Sequence, residues 1–213
     1  MRKYWSLILA LALTLKLNAQ FYTSTIGEEM FQIASVTDSG DNSENVLRYS
    51  NWINSSVQIH FDPTNFLGFY SGIGNSNIGF IIKQNDVALK FRSYALGMPI
   101  AIKIGDLSNH FYVAIGAEEE LFYNYKQKII YENNKDKNSE WFSNKTNLLN
   151  SSFFAEVQMP KKLFIRFRYY PGNFFATDQN FDLPDGSVIT DFNAQLFYIS
   201  IGTNNFKPIW ENF

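Results

Sequence analysis

The chain has 213 residues, no cysteine and a formal net charge of -2. The absence of cysteine excludes a disulfide framework and a lipoprotein signal, and the balanced charge gives no sign of a nucleic-acid partner. Aromatic residues make up 17% of the chain and charged residues 18%. A soluble domain would have to bury nearly all of these aromatic side chains, because large exposed apolar patches mark contact surfaces.

The first segment has the features of a cleavable secretory signal peptide. Arg2 and Lys3 precede an apolar stretch over residues 4–17, and Ala19 offers a small residue at the cleavage point. The stretch is about 14 residues long, whereas a helix needs about 20 to cross a bilayer. We therefore expect residues 1–19 to be removed by cleavage near Ala19.

The mature chain then begins with a segment that shows little regular alternation. Residues 20–54 include a patch rich in Ser, Asp and Asn over 37–45. We expect this segment to be a periplasmic lead-in, and we expect the folded domain to cover residues 55–213.

Beyond the signal, no apolar run is long enough for a spanning helix, and apolar residues alternate with polar ones at the period of β-strands. The Gly-Asn-Ser-Asn sequence at 74–77 has the composition of a turn. In chain order, the eight predicted strands cover residues 57–62, 67–73, 78–82, 89–104, 111–125, 153–159, 163–170 and 193–203.

The lengths of the connections agree with an antiparallel barrel that spans a membrane. Such a barrel has short turns on the periplasmic side and longer loops outside the cell. The two long connections, 126–147 and 171–191, fall on the same side and are predicted to be external. The predicted periplasmic turns are 74–77, 105–110 and 160–161.

The two faces of the predicted strands differ in chemistry. One face is apolar, and we expect it to contact lipid. The other is rich in Gly, Ala, Ser and Tyr and carries charges of both signs, which suits a narrow interior where buried charges are paired. We predict a structural charge network in the lumen that consists of Lys103, Glu118, Glu120, Glu156, Arg166 and Arg168.

Two alternatives stay open at this point. In a soluble lipocalin-like barrel or sandwich, the apolar face would point inward. Glu119 also interrupts an apolar row, so either a bulge shifts the phase of the strand or a carboxylate faces lipid.

Several short motifs resemble a known family. They include Asn18-Ala19-Gln20 at the end of the signal, the Gly68 to Gly74 hairpin, Leu96-Gly97-Met98-Pro99, residues 119–126, and Tyr169-Tyr170 before Asn173-Phe174-Phe175. Over about residues 50–205 the chain resembles the small outer-membrane β-barrel proteins of Bacteroidetes-type bacteria. The resemblance implies an all-β, eight-stranded, antiparallel up-and-down transmembrane β-barrel in the outer membrane, and it says little about activity. Pro208 interrupts the alternation before Phe213, so whether 204–213 is a strand stays open.

Catalytic motifs are missing from the sequence. It has no Gly-rich phosphate loop and no metal-binding pair of histidines, and His60 and His110 are its only histidines. We predict no catalytic residue, no metal and no cofactor. The enzymatic alternative is a lipid-modifying enzyme that uses His60, near Asp62 at the outer end of the first predicted strand, as part of a nucleophilic set.

The external loops are the better candidates for contacts. Trp141 and Phe142 in the first long loop, and Phe174 and Phe175 in the second, are predicted to be exposed. The expected partner is outer-membrane lipid, with lipopolysaccharide or another envelope protein as further candidates. We therefore predict a non-enzymatic barrel with a structural or interaction role in the envelope. The alternatives are a narrow channel or carrier for a small solute, the lipid-modifying enzyme, and an accessory subunit of a secretion or assembly complex.

Overall fold

The computed structural model describes residues 19–38, 43–132 and 134–208. The predicted signal peptide, apart from Ala19, and the terminal Phe213 lie outside the described residues. In this part of the chain, no helix is long and apolar enough to cross a membrane. The strands are β1 (Gln20–Thr37), β2 (Glu44–Val46), β3 (Arg48–Ser50), β4 (Ser55–Asp62), β5 (Leu67–Gln84), β6 (Val87–Asp106), β7 (Phe111–Tyr131), β8 (Asn134–Trp141), β9 (Leu149–Gln158), β10 (Leu163–Asn173), β11 (Gln179–Asp182) and β12 (Val188–Pro208).

Eight of these strands form a closed antiparallel barrel. β1, β4, β5, β6, β7, β9, β10 and β12 each pair with the next of the eight, and β12 pairs back to β1. β3 also pairs with β1, while β2, β8 and β11 pair with β5, β7 and β12. The predicted eight-stranded up-and-down barrel is therefore confirmed.

The two ends of the barrel differ in the length of their connections. One end, which we call the turn end, holds Gln20, Pro208 and the short connections 63–66, 107–110 and 159–162. The opposite end, which we call the loop end, holds the tight turn 85–86 and the long connections 38–54, 132–148 and 174–187. In spanning barrels the short turns are periplasmic.

Two predicted elements are corrected by the strand pairing. Gln20–Thr37 is not a lead-in outside the barrel, because it is β1 and pairs on one edge with β12 and on the other with β3 and β4. The predicted turn at 74–77 lies within β5, which runs without interruption from Leu67 to Gln84. The missed strand and the divided strand offset each other, which is why the predicted number of strands is still correct.

The outward face of β6 changes character at Tyr94. Toward the turn end the outward side chains are apolar and exposed, and Ile100 is 70% exposed. Toward the loop end they are Arg92 and Lys90, while the inward Phe91 is fully buried. The ten residue steps from Tyr94 to Ile104 span about 25 Å along the barrel axis, at about 3.3 Å per residue and a tilt of about 40°, which matches the apolar band of a membrane barrel.

β5 shows the same inversion. Phe69 and Ile73 point outward near the turn end, whereas Ile78, Phe80 and Ile82 are buried in the interior near the loop end. The apolar side chains change face because their surroundings change along a straight strand. This change of phase explains why residues 74–77 were predicted to be a turn.

The end of β12 is also resolved by its pairing. Asn204 to Pro208 continue the strand and pair with Ile26 to Tyr22 of β1. Pro208 is the last paired residue of the strand, a position that a proline tolerates.

Candidate functional site

Near the turn end, Lys103 is the centre of a buried polar cluster. Its ammonium nitrogen lies 2.6 Å from Asp62 Oδ1, 2.8 Å from Tyr22 Oη and 3.1 Å from His60 Nδ1. Tyr22 in turn donates to Asp62 Oδ2 at 2.9 Å, and Ser24 Oγ lies 2.8 Å from His60 Nε2. An ammonium group has three N–H donors, so all three have acceptors here. The sequence predicted Lys103 as a lumen charge but missed its partner Asp62.

The cluster fixes the hydrogen position on His60. A lysine ammonium can only donate, so Nδ1 is the acceptor, and Nε2 carries the hydrogen and donates to Ser24 Oγ. A nucleophilic set needs the reverse, a lone pair on the base directed at the hydroxyl. Ser24 is 1% exposed and His60 is fully buried, so a substrate has no access.

The position of His60 also differs from the prediction. The sequence placed it at the outer end of the first predicted strand. In the structure β4 runs toward the short turn 63–66, so His60 lies near the turn end, away from the long loops. The predicted position was reversed because β1 was missed. With β1 placed before β4 in the barrel, the connection 63–66 after β4 lies at the turn end instead of the outer end.

A second layer of charges crosses the middle of the barrel. Arg166 Nη2 lies 2.6 Å from Glu156 Oε2, and Arg168 Nη2 lies 2.5 Å from Glu118 Oε2. Arg168 Nη1 also donates to Glu120 Oε1 at 3.1 Å. Five of the six predicted lumen residues thus form two neighbouring ion-paired groups, one around each arginine.

A sixth member of this layer was missed. Glu28 on β1 lies 3.4 Å from Arg166 Nη1 and accepts a hydrogen bond from Ser200 Oγ at 2.6 Å. Its strand was predicted to lie outside the barrel, so its side chain had no predicted location. With Glu28 included, four carboxyl groups surround two guanidinium groups, so the carboxyl groups in this layer outnumber the arginines.

The layer is closely packed as well as charged. Phe154 lies between the two guanidinium groups, 5.2 Å from that of Arg166 and 5.5 Å from that of Arg168. A β-carbon on Gly97 would overlap the carboxylate of Glu118, so a larger residue there would displace this carboxylate from its contact with Arg168. A cavity lined by Glu28, Glu118, Arg166 and Arg168 has a volume of about 10 Å³, which is room for about one water molecule.

Above this layer, toward the loop end, the interior is an apolar core. Phe174 and Phe175 are 2% and 1% exposed and pack at right angles, 5.0 Å apart. The prediction that these two residues form an external contact is therefore wrong. The connection after β10 folds into the barrel because its aromatic side chains complete the core formed by residues such as Phe80, Phe91 and Phe192.

Trp141 and Phe142 lie on the outside, as the sequence predicted. They are 69% and 63% exposed. The ring of Trp141 stacks 5.8 Å from that of Tyr123, which stacks 6.2 Å from that of Tyr94. These three rings form an aromatic row at the upper edge of the apolar band, where membrane barrels carry such residues.

Glu119 also lies on the outer face. The irregularity in β7 comes later, opposite the Tyr94 and Ala95 pair, so the phase of the strand at Glu119 is unchanged. Its carboxylate accepts a hydrogen bond from Ser151 Oγ on β9. This hydrogen bond satisfies part of the hydrogen-bonding capacity of the Glu119 carboxylate within the apolar band.

A closed eight-stranded barrel with an apolar outer band and a charged interior has the architecture of a small transmembrane β-barrel. No protein-family model matches the chain, and no curated protein sequence matches it.

Several solved structures of outer-membrane barrels are similar in fold. Ail, the attachment invasion locus protein of Yersinia pestis, has 13% identity over 86% of this chain and 98% of its own, with a TM-score of 0.33. The neisserial surface protein NspA has 12% identity over 87% and 98%, with a TM-score of 0.33. The outer membrane protein OprG from Pseudomonas aeruginosa has 9% identity over 89% and 96%, with a TM-score of 0.39.

Proposed function

We propose that the chain is exported, loses residues 1–19, and serves as an outer-membrane barrel that neither conducts solutes nor catalyses a reaction. Its role in the envelope is structural or a contact at the cell surface. The observation that carries this proposal is the inversion of polarity at Tyr94. Below it on β6, the outward side chains are apolar and the barrel interior holds the charged clusters, whereas above it the outward side chains include Lys90 and Arg92 and the inward Phe91 belongs to an apolar core.

This inversion corresponds to two solvents. Apolar side chains point outward only where the surroundings are apolar, and they point inward where the surroundings are water. The seven residue steps from Tyr94 to Val87 add about 18 Å of wall above the band, at the same rise and tilt. The wall from Tyr94 to Val87 would therefore stand above the outer surface of the membrane as a rigid extension of the barrel, which we call the platform.

The filled interior argues against a channel. The central charge layer leaves a cavity of only about 10 Å³, and the apolar core around Phe174 and Phe175 closes the loop end. A barrel of eight strands is already narrow enough for side chains to fill it.

The geometry of His60 argues against a lipid-modifying enzyme. The hydrogen on Nε2 points toward Ser24, and both side chains are buried. They also lie at the turn end, whereas the lipid headgroups of the outer leaflet would lie near Tyr94.

The first experiment tests location and orientation. The chain has no natural cysteine, so single cysteine variants report their own position. We expect Lys135→Cys, in the exposed β8, to react with a membrane-impermeant maleimide on intact cells, and Ser108→Cys, at the turn end, to react only after the outer membrane is permeabilised.

Fractionation and planar-bilayer recording complete the test. The protein is expected in the outer-membrane fraction, with a different electrophoretic mobility before and after boiling, and without steady conductance. Recovery of the mature protein dissolved in the periplasm would contradict the membrane assignment, and steady conductance would contradict the closed interior.

A further inference from the structure

A groove lined by cations lies on the outer wall of the platform. It is bounded by β5, β6, β7 and β8 and by residues 48–52, and its volume is about 610 Å³. This is within the range of about 300–1,000 Å³ that is typical of small-ligand sites. The cations that line it are Arg48, Lys90, Arg92, Lys126, Lys128 and Lys137.

Within the described part of the chain, these cations lack anionic partners. No carboxylate lines the groove, and none of the six forms an ion pair with a described carboxylate. The pKa of Lys128 is lowered by desolvation and then by the nearby charges of Lys135, Lys137, Lys90 and Arg92. Such a cluster of like charges attracts a multiply charged anion.

The groove begins at the upper edge of the apolar band. Lys126 Nζ lies 4.8 Å from the centre of the Tyr94 ring, and the Arg92 guanidinium lies 5.8 Å from it. Toward the turn end, the next outward residues on β6 are the exposed Leu96 and Met98. The cations therefore lie at the level where the headgroups of the outer leaflet would lie.

Aromatic side chains form part of the same rim. Tyr49 and Trp52 line the groove and are 50% and 68% exposed. Tyr and Trp are enriched at the boundary between lipid and water, because one part of each ring system is apolar and the other is polar. A ligand at this place would meet both an aromatic rim and a cationic wall.

We propose that this groove binds the phosphate groups of lipopolysaccharide in the outer leaflet. The inference rests on the proposed membrane location and orientation of the barrel. A lipid phosphate is favoured over a soluble polyanion because the groove is continuous with the apolar band, so one molecule could place its acyl chains against the band and its phosphates among the cations. Three or more cations can reach one ligand, as the recognition of two phosphates would require.

The test measures binding of lipid A by the folded full-length protein in zwitterionic detergent micelles, using calorimetry with bisphosphorylated and dephosphorylated lipid A as the two probes. The test variant is Lys90→Gln, Arg92→Gln and Lys128→Gln combined. The matched control is Lys83→Gln, Lys161→Gln and Lys207→Gln combined, which removes the same charge at exposed positions outside the lining.

We expect the wild-type protein to prefer the bisphosphorylated lipid, and we expect high salt to weaken this binding. An exposed cation near a charged membrane surface contributes about a fivefold change in affinity, so the test variant should bind about a hundredfold more weakly. The control variant should stay close to wild type.

Equal binding of the two lipids, or unchanged binding by the test variant, would overturn the proposal. Tight binding of a soluble sulfated polysaccharide without binding of lipid A would overturn it too. Heat-shift electrophoresis confirms that each variant is folded, and if the triple variant does not fold, Lys128→Glu alone must lower the affinity. Cysteine labelling and fractionation are separate measurements, so an error in membrane location is distinguishable from an error in the groove.

Discussion

The side chain of Gln32 accepts a hydrogen bond from the backbone N–H of Gly79 at 2.7 Å, and in this way β1 bonds directly to β5 across the barrel wall. The same amide donates to the carbonyl of Asn77 at 2.9 Å. β4 begins only at Ser55, and above it the short strand β3 takes the same edge of β1, where Arg48 pairs with Gln32. Arg48 reinforces this link by donating to Gln32 Oε1 and Asn77 Oδ1, each at 2.6 Å.

Replacing Gln32 should therefore weaken the side-chain link between β1 and β5. Gln32→Leu removes both hydrogen bonds and leaves buried backbone groups and Arg48 with fewer partners, at a cost of about 2–4 kcal/mol. The measurement is urea unfolding in micelles. Gln20→Leu, the same change at an exposed position, should alter stability by no more than about 0.5 kcal/mol. Equal effects of the two variants would show that the Gln32 side chain does not stabilise the contact between β1 and β5.

The central charge layer should be sensitive to the loss of one partner. Arg168→Met leaves Glu118 and Glu120 buried without their guanidinium partner, so we expect a loss of about 3–5 kcal/mol in the free energy of unfolding. The double variant Arg168→Met, Glu118→Gln should recover part of this loss, because one of the abandoned charges is also removed. Additive losses in the double variant would contradict a coupled pair.

The buried and exposed aromatic residues of the long connections should differ sharply. Phe175→Ala creates a cavity in the apolar core and should cost about 3–5 kcal/mol. Phe142→Ala, at a position that is 63% exposed, should cost no more than about 0.5 kcal/mol. Urea unfolding measures both, and similar costs would mean that the second long loop does not pack into the barrel.

His60 should affect stability rather than lipid chemistry. His60→Ala removes one acceptor of the buried Lys103 ammonium, which should cost about 1–3 kcal/mol. The lipid composition of membranes that contain the variant should equal that of membranes with the wild-type protein. Lipid hydrolysis or acyl transfer that is present in the wild type and absent in His60→Ala would restore the enzymatic alternative.

Low pH should loosen the β8 hairpin before it affects the barrel. Hydrogen bonds from Ser143, Lys145 and Asn138 lower the pKa of Glu140 to about 2. Because this pKa is lower in the folded protein than in the unfolded chain, the contribution to stability is complete above the ordinary Glu pKa of about 4.3 and is lost as the pH falls toward 2.

The fluorescence of the adjacent Trp141, in a protein with Trp52 and Trp210 replaced by Phe, is the measurement for this hairpin. We expect its emission to change between pH 4 and about pH 2 in the wild-type protein, and we expect Glu140→Gln to have little such change because it has no carboxyl group to titrate. The same acid transition in Glu140→Gln would assign it to another group.

The sequence predicted the strands well where one face is apolar and the other is polar along the whole segment. Rows such as Leu96 to Ile104 alternate regularly because one face contacts lipid and the other faces a polar interior. The charge network was predictable for the same reason, since charges of both signs on interior rows need partners. Trp141 and Phe142 were also placed correctly, on the outside of the barrel.

The sequence was less informative where the pattern depends on distant parts of the fold. β1 was missed because its outward row mixes Phe21 and Phe31 with Thr23, Thr25 and Gly27, so its strand character comes from pairing rather than alternation. β5 was divided because the inversion at its middle looks like a turn. The burial of Phe174 and Phe175 depends on an interior that becomes apolar only above the charge layer, which no local pattern reveals.

The pairing of β1 with β12 joins the first and last strands of the barrel, so the barrel closes only when both strands are present. A chain that lacks β12 leaves β1 and β10 as edge strands. Their unpaired backbone N–H and C=O groups can then pair with other chains. A chain that is cut short before β12 is therefore expected to aggregate rather than to form a smaller barrel.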